Sequence, residues 1–319
     1  MSEQRSGRAG DCRTSVIFPV YECAGEVDPL IDLLLAAMEK SGRTFEIIII
    51  DDGSKDTTWE ECQTRTAGDK RFRLVKMRSH FGESAALAAG LNNASGEEIV
   101  FITGRVRVNP EGLPRLLEKL DAGLDLIVGW RHPRRDSLLN RVVSRIFNNM
   151  AHWISRVKLH DINSGVFVVR REVLGKISFY GDLFNFIPVL AAQQGYKIGE
   201  EKIEQLSGIF RRSRYPREYI RRLLDIITVF FLSRYSKKPN HFLGFLGTFL
   251  FLLGLGIEIY LFIYRILLLG PIAGRPLLLL GALLLVIGIQ MISIGLLGEM
   301  IIFTHAGDIE EYNIEEIIN

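Results

Sequence analysis

From Thr14 to about residue 205, short β-branched runs alternate with amphipathic stretches of helical length. That alternation predicts βαβ units wound around a largely parallel sheet. The predicted strands are TSVIFPVY (14–21), FEIIIID (45–51), FRLVKM (72–77), EIVFIT (98–103) and LDLIVGW (124–130), with helices expected near 26–41, 57–66, 83–93 and 110–122. Unbroken apolar runs such as Ile47 to Ile50 predict strands covered on both faces.

The pattern changes at Pro216. In PREYIRRLLDIITVFFLSRYSKKP, arginines sit among apolar residues at helical spacing, which predicts a helix lying in a membrane interface; a surface helix packed on the domain is the alternative. Two apolar stretches follow, about 242–266 and 276–303, each long enough to cross ~30 Å of hydrocarbon. The short GPIAGRP between them predicts a hairpin with both ends on one side. Arg234, Lys237 and Lys238 place that side in the cytoplasm by the positive-inside rule. Glu258 and Gln290 lie well inside the spans, where a polar group calls for a partner. Gly244, Gly247, Gly254 and Gly256 permit close helix contact, so self-association is among the expected interactions.

The expected organisation is a polar tail (1–13), an α/β domain (14–210), a juxtamembrane helix (211–238), a transmembrane hairpin (239–304) and a second tail (305–319). The start, MSEQRSGRAGDCRTS, has no apolar core, so no cleaved signal is expected and both termini and the α/β domain are expected to be cytoplasmic. A net charge of +2 is too mild to suggest nucleic acid. Cys12, Cys23 and Cys62 lack zinc spacing and are odd in number, which fits reduced thiols.

The sharpest chemical signal is IIIIDDGSKDTT. A buried strand delivers Asp51 and Asp52 to the carboxyl end of the sheet, where α/β folds bind ligands; Gly53 and Ser54 then turn the chain towards a helix capped by Asp56 or Thr57. One carboxylate there can hydrogen-bond a ribose or a base edge. A turn and a cap alone would leave the same trace.

VIFPVYE, DDGS, HFGESAALAAGLNNASGEEIVFI, VGWRHPRRD, LHDINSGVFVVRREVL and a closing apolar hairpin occur in a definite order. In that order the chain resembles membrane-anchored family 2 glycosyltransferases, the group that includes dolichol-phosphate mannosyltransferase-like and undecaprenyl-phosphate sugar transferases. The resemblance runs from about Thr14 to Phe303. It implies a GT-A-like, Rossmann-like fold and an inverting transfer of sugar from a nucleotide-sugar donor to a polyprenyl phosphate. It also implies nucleotide contacts from Pro19, Tyr21 and Asp51 or Asp52, a role for Arg131 towards the phosphates or the acceptor, and a place for Asp161 beside the reacting sugar. Read from the residues alone, Arg131 is equally a solvated loop residue beside Arg134 and Arg135, and Asp161 a cap on the turn suggested by Asn163, Ser164 and Gly165.

The chain departs from the pattern at one critical place. The family's metal-binding Asp-x-Asp triplet falls on Gly104, Arg105 and Val106, and the next acid, Glu111, opens a helix whose dipole it suits. No metal is expected at such a loop; Mg²⁺ or Mn²⁺ would need ligands elsewhere. Arg105 and Arg107 alternate along the segment, so both guanidiniums can contact a departing diphosphate in the metal's stead. Otherwise the donor site has decayed. Further departures are GDLFNFIP, with Asp182, Phe184 and Asn185, and the loop that carries Arg211, Arg212 and Arg214. Those three, with Arg221 and Arg222, would hold a lipid phosphate or simply face anionic membrane lipid. Two functions follow: a polyprenyl-phosphate glycosyltransferase without the usual metal, or an inactive relative that binds nucleotide, lipid phosphate or a partner. Retention of Asp51, Asp52 and Asp161 favours donor binding.

Overall fold

The computed structural model describes residues 12–104, 108–133, 159–162, 164–177, 181–206, 239–271 and 275–305. The chain divides into two compact units, Met1–Val229 and Phe230–Asn319.

In the first unit, seven strands form one sheet: β1 (Thr14–Val20), β2 (Phe45–Asp51), β3 (Phe72–Lys76), β4 (Glu98–Ile102), β5 (Leu126–Arg131), β6 (Val166–Arg170) and β7 (Ile198–Ile203), in the order β3-β2-β1-β4-β6-β5-β7. The helices are α1 (Val27–Lys40), α2 (Thr58–Thr66), α3 (Glu83–Asn93), α4 (Leu113–Asp121), α5 (Arg171–Lys176) and α6 (Ile187–Gln193). The five strands and four helices expected up to residue 131 are present at nearly the expected places. β6 and β7 are additions; β6 runs antiparallel to both β4 and β5, within a sheet that is otherwise parallel as expected.

Alternation along the strands builds two cores. Ile47 and Ile49 point into a layer shared with Val16, Phe18 and the apolar faces of α1 and α4. Ile48 and Ile50 point the other way, against Ile17, Phe101 and α3. Both faces are therefore dry, which is why β2 reads as an unbroken run of isoleucines. Phe184, which had looked like drift in a polar segment, belongs to this second core, meeting Phe101 edge-on at 5.0 Å between centroids.

The amino end of the sheet is closed by ion pairs. Glu98 accepts from Arg13 Nε at 2.9 Å and Thr14 Oγ1 at 2.7 Å, and also pairs with the buried Arg43, which reaches Asp121 in turn. Glu98→Ala would leave the Arg43 side chain buried with the half-exposed Asp121 as its one remaining carboxylate, beside the Leu117 carbonyl. It is expected to destabilise the domain by about 2 kcal/mol, read as a lower denaturant midpoint, with little change in ligand binding at the opposite end of the sheet.

The second unit pairs α7 (Pro239–Ile266) with α8 (Pro276–His305). Both are long and apolar enough to cross a membrane. Their large apolar side chains, among them Phe245, Phe262, Leu279 and Ile301, are mostly exposed, so these are not the core helices of a water-soluble unit. The seam between them is built on glycine. A Cβ on Gly247 would lie 2.7 Å from the Gly288 carbonyl, and one on Gly254 2.8 Å from that of Gly281. Gly256, by contrast, has open space around it, and Gly244 meets only the side chain of Asn240 in its own helix.

Candidate functional site at the carboxyl end of the sheet

The strand order reverses direction between β1 and β4, which opens a crevice at their carboxyl ends. Proline shapes that crevice. The β1–β4 ladder ends at the Ile17–Phe101 pair, and Pro19, which has no N–H to continue it, instead accepts from Gly104 N at 3.3 Å. Pro19 and the start of the Gly-Arg-Val segment thus meet at the switch point. Thr103, buried at the tip of β4, donates to Glu83 at 3.0 Å and ties α3 to the same edge.

The DDGS segment organises the loops around this crevice. Asp52 is buried and accepts from Phe81 N and Gly82 N at 2.8 Å each, with His80 Nδ1 also at 2.8 Å. The His80 ring stacks on Tyr21 at 4.1 Å between centroids. Gly53 lets the two loops touch: it has φ +73, and a Cβ there would lie 2.5 Å from the Ser79 carbonyl carbon. Asp51, fully buried, accepts from Ser54 N with one oxygen, while its Oδ2 is enclosed without a hydrogen bond. Four successive amides of the loop after β1 are then received by side chains of the next loop and helix: Glu22 by Ser54, Cys23 by Thr58, Ala24 by Asp56 and Gly25 by Glu61, at 2.8–3.2 Å. Asp56 therefore serves a neighbouring loop as well as its own turn, and Thr57, at the head of α2, makes no side-chain cap. Burial pushes the Cys23 thiol up to about 11 and that of Cys62 up to about 12, so both stay protonated near neutral pH.

On the other side of the crevice Arg131 ends β5. It is buried, not a solvated loop residue, and grips Asp161 through Nε to Oδ2 at 2.6 Å and Nη2 to Oδ1 at 2.8 Å. The two expected site residues are thus one bidentate ion pair, and Asp161 is no simple turn cap. A second tie runs beside the first. His160 stacks on Trp130 at 4.2 Å, Lys202 Nζ lies 5.1 Å from the Trp130 ring, and Glu200 receives the His160 amide at 2.8 Å while also meeting its ring. Sequence reading missed this cluster because its members come from β5, β7 and the segment before β6, and only pairing of the edge strand brings them together.

The segment after β4 carries no carboxylate at the Asp-x-Asp positions. Gly104 offers no side-chain ligand and is followed by Arg105 and Val106. Of the nearby carboxylates, Asp52 serves three N–H donors and Asp161 a guanidinium, while Asp51 keeps one buried oxygen without a hydrogen bond. Among the described residues no group of three or more His, Cys, Asp or Glu is placed to hold a metal. Arg105 and Arg107, and Arg211, Arg212, Arg214, Arg221 and Arg222, lie outside the described residues.

Residues 15–178 match the profile of Glycosyl transferase family 2. The chain belongs to this family. It is similar to the dodecaprenyl-phosphate galacturonate synthase of Rhizobium johnstonii, with 32% identity over 92% of this chain and 89% of the relative. Against the undecaprenyl-phosphate 4-deoxy-4-formamido-L-arabinose transferase of Salmonella paratyphi A, identity is 28% over 96% of this chain and 94% of the relative. Among solved structures, glucosyl-3-phosphoglycerate synthase from Mycobacterium tuberculosis, in complex with Mn²⁺, UDP and phosphoglyceric acid, gives a TM-score of 0.55 at 21% identity, covering 71% of this chain and 79% of that one. Mannosyl-3-phosphoglycerate synthase from Rubrobacter xylanophilus gives 0.52 at 16% identity, over 68% and 72%. These likenesses establish the GT-A-like fold. In this family 2 member, the Asp51–Asp52 loops and the Arg131–Asp161 pair lie at the same carboxyl edge of the sheet, on opposite sides of the switch point.

Proposed function

We propose that this chain is a membrane-bound transferase that moves a sugar, with inversion, from a nucleotide-sugar donor to a polyprenyl phosphate without an Asp-x-Asp metal site. The observation that carries this reading is the extent of the similarity. The two relatives named for polyprenyl-phosphate sugar transfer match nearly end to end, hairpin included. Tyr21, stacked on His80 and backed by Asp52, would form the shelf for the base, with Pro19 and Asp51 at its edge. The α/β domain and both termini would face the cytoplasm, a reading supported by the lysines and arginine before the first span.

Transfer would proceed by attack of an acceptor phosphate oxygen on the anomeric carbon as the bond to the nucleoside diphosphate breaks, its electron pair leaving with the diphosphate. A phosphate monoester has a second ionisation near about 6, so the acceptor is largely dianionic at neutral pH and needs no strong base. This agrees with the Arg131–Asp161 pair, in which the carboxylate is already engaged. Its role would be to orient the end of β5 beside the sugar. Arg105 and Arg107 would neutralise the departing diphosphate, and Arg211, Arg212, Arg214, Arg221 and Arg222 would gather the lipid phosphate above the membrane.

The test is calorimetric titration of the detergent-solubilised protein with UDP and GDP, in EDTA and then in excess Mg²⁺ or Mn²⁺, followed by a transfer assay from labelled nucleotide sugars to polyprenyl phosphate. Binding and transfer are expected to survive EDTA. Arg105→Ala with Arg107→Ala is expected to lower the transfer rate about 10²-fold while changing donor affinity much less. Binding only with metal would overturn the metal-free reading. One observation favours a second reading, an inactive nucleotide-binding relative: two cations stand around the position of the family's metal-binding acids. Failure of both nucleotides to bind in every condition would remove donor binding from either reading and leave lipid phosphate or a partner as the ligand.

A further inference from the structure

At the carboxyl edge of the sheet, Asp51, Asp52 and Asp161 have their oxygens either engaged or enclosed. Asp52 serves three N–H donors, Asp161 serves Arg131, and the second oxygen of Asp51 is sealed from solvent. Glu83 differs from them. It opens α3 directly after Gly82, whose amide is held by Asp52 at 2.8 Å, and its Oε1 accepts from Thr103 Oγ1 at 3.0 Å. The residue is half-buried, and its Oε2 is open to solvent, with no hydrogen bond or ion pair to any described residue.

Both supports of this carboxylate are fixed. Thr103 is buried at the tip of β4 and donates its amide to the Gly165 carbonyl at 3.0 Å; the amide of the next residue, Gly104, is tied to Pro19. Gly82 has φ +93, a conformation that suits glycine, and turns the chain from the Asp52 contacts straight into α3. Glu83 is thereby held between the loop that Asp52 organises and the switch point, bonded to the residue that precedes the Gly104–Val106 triplet. An acid in the first turn suits a helix dipole. The dipole alone does not require that acid to be tethered to a strand.

An ionised carboxylate only accepts hydrogen bonds. An open oxygen on it attracts hydroxyl, amide or ammonium hydrogens and repels phosphate. The diphosphate of a nucleotide sugar is therefore the wrong partner for Oε2, and the sugar, which carries hydroxyls, is the right one. Because Thr103 already restrains the side chain, little rotamer freedom is left to lose on binding.

Resting on the nucleotide-sugar reading above, we infer that Glu83 is a specificity-determining residue of the donor site, its Oε2 accepting a hydrogen bond from a hydroxyl or amino group of the donor sugar. The accepted sugars are those that turn such a group towards the start of α3.

The experiment is calorimetric titration of the detergent-solubilised full chain with UDP, GDP, UDP-glucose, UDP-galactose, UDP-N-acetylglucosamine and GDP-mannose, for the wild type, Glu83→Ala, Glu83→Gln and Thr103→Val. Glu83→Ala is expected to weaken the best-bound nucleotide sugar about tenfold, the loss of one charge-assisted hydrogen bond. Its affinity for the bare nucleotide should stay the same or rise slightly, because a negative charge leaves the neighbourhood of the diphosphate. Glu83→Gln keeps an acceptor oxygen and should lie between Glu83→Ala and the wild type. Thr103→Val, which leaves the carboxylate but unties it, should reproduce part of the sugar loss. Equal losses of bare nucleotide and nucleotide sugar in Glu83→Ala would make Glu83 a structural support and overturn the inference, as would an unchanged affinity for every sugar. Absence of binding by both UDP and GDP to the wild type would instead overturn the donor reading itself, and the inference with it.

Discussion

Arg131→Ala is expected to destabilise the soluble domain by about 3–5 kcal/mol, seen as a lower midpoint in thermal or denaturant unfolding. The reason is Asp161. Both residues are buried and joined by two short hydrogen bonds, so removing the guanidinium takes the opposite charge from a carboxylate held away from water. The pair itself is worth much less than that loss, because both ions were desolvated to form it. Hence Arg131→Met with Asp161→Leu, which replaces ions by apolar side chains, is expected to recover most of the lost stability. The double variant separates the two roles. Near-normal stability with transfer abolished would place the pair in the reaction, and near-normal stability with normal turnover would make it a structural bolt.

Asp52→Ala is expected to have the second largest effect, a loss of about 3 kcal/mol together with weaker nucleotide binding. Three donors lose their acceptor at once: the amides of Phe81 and Gly82 and the ring of His80. Charge-assisted hydrogen bonds contribute about 1.5–3 kcal/mol each, but three on one carboxylate are not additive. Without them the Tyr21–His80 stack loses its backing, so UDP or GDP affinity should fall at least as clearly as stability. Asp52→Asn keeps one acceptor oxygen and should lie between the two. His80→Phe preserves a ring for Tyr21 while removing only the bond to Asp52, and should reduce binding less than Asp52→Ala. Undiminished affinity in Asp52→Ala would move the base shelf elsewhere in the crevice.

Much of this could be read before any coordinates. Strands covered on both faces betray themselves as unbroken apolar runs, and the spans do so by length, because each signal is local and repeated over many residues. β7 was missed for the converse reason. As an edge strand with Glu200, Glu201 and Lys202, it shows no apolar run. β6 follows closely on Asp161 and is only five residues long, and nothing in VFVVR states a direction of pairing.

The site residues divide in the same way. That Asp51 and Asp52 reach the end of a buried strand, and that acids are missing at residues 104–106, are properties of order along the chain. What each carboxylate does there is not. Asp52 binds a loop some thirty residues on, and Asp161 is claimed by Arg131 thirty residues before it. The glycines illustrate the limit most plainly. Sequence showed that they allow close packing, but only the fold decided that Gly247 and Gly254 face Gly288 and Gly281 in the same hairpin. Periodicity and composition act on neighbours in the chain, so the chain alone determined the layers, the spans and the missing acids. Pairing depends on which distant segments share a sheet edge or a helix face, and that was decided only by tertiary packing.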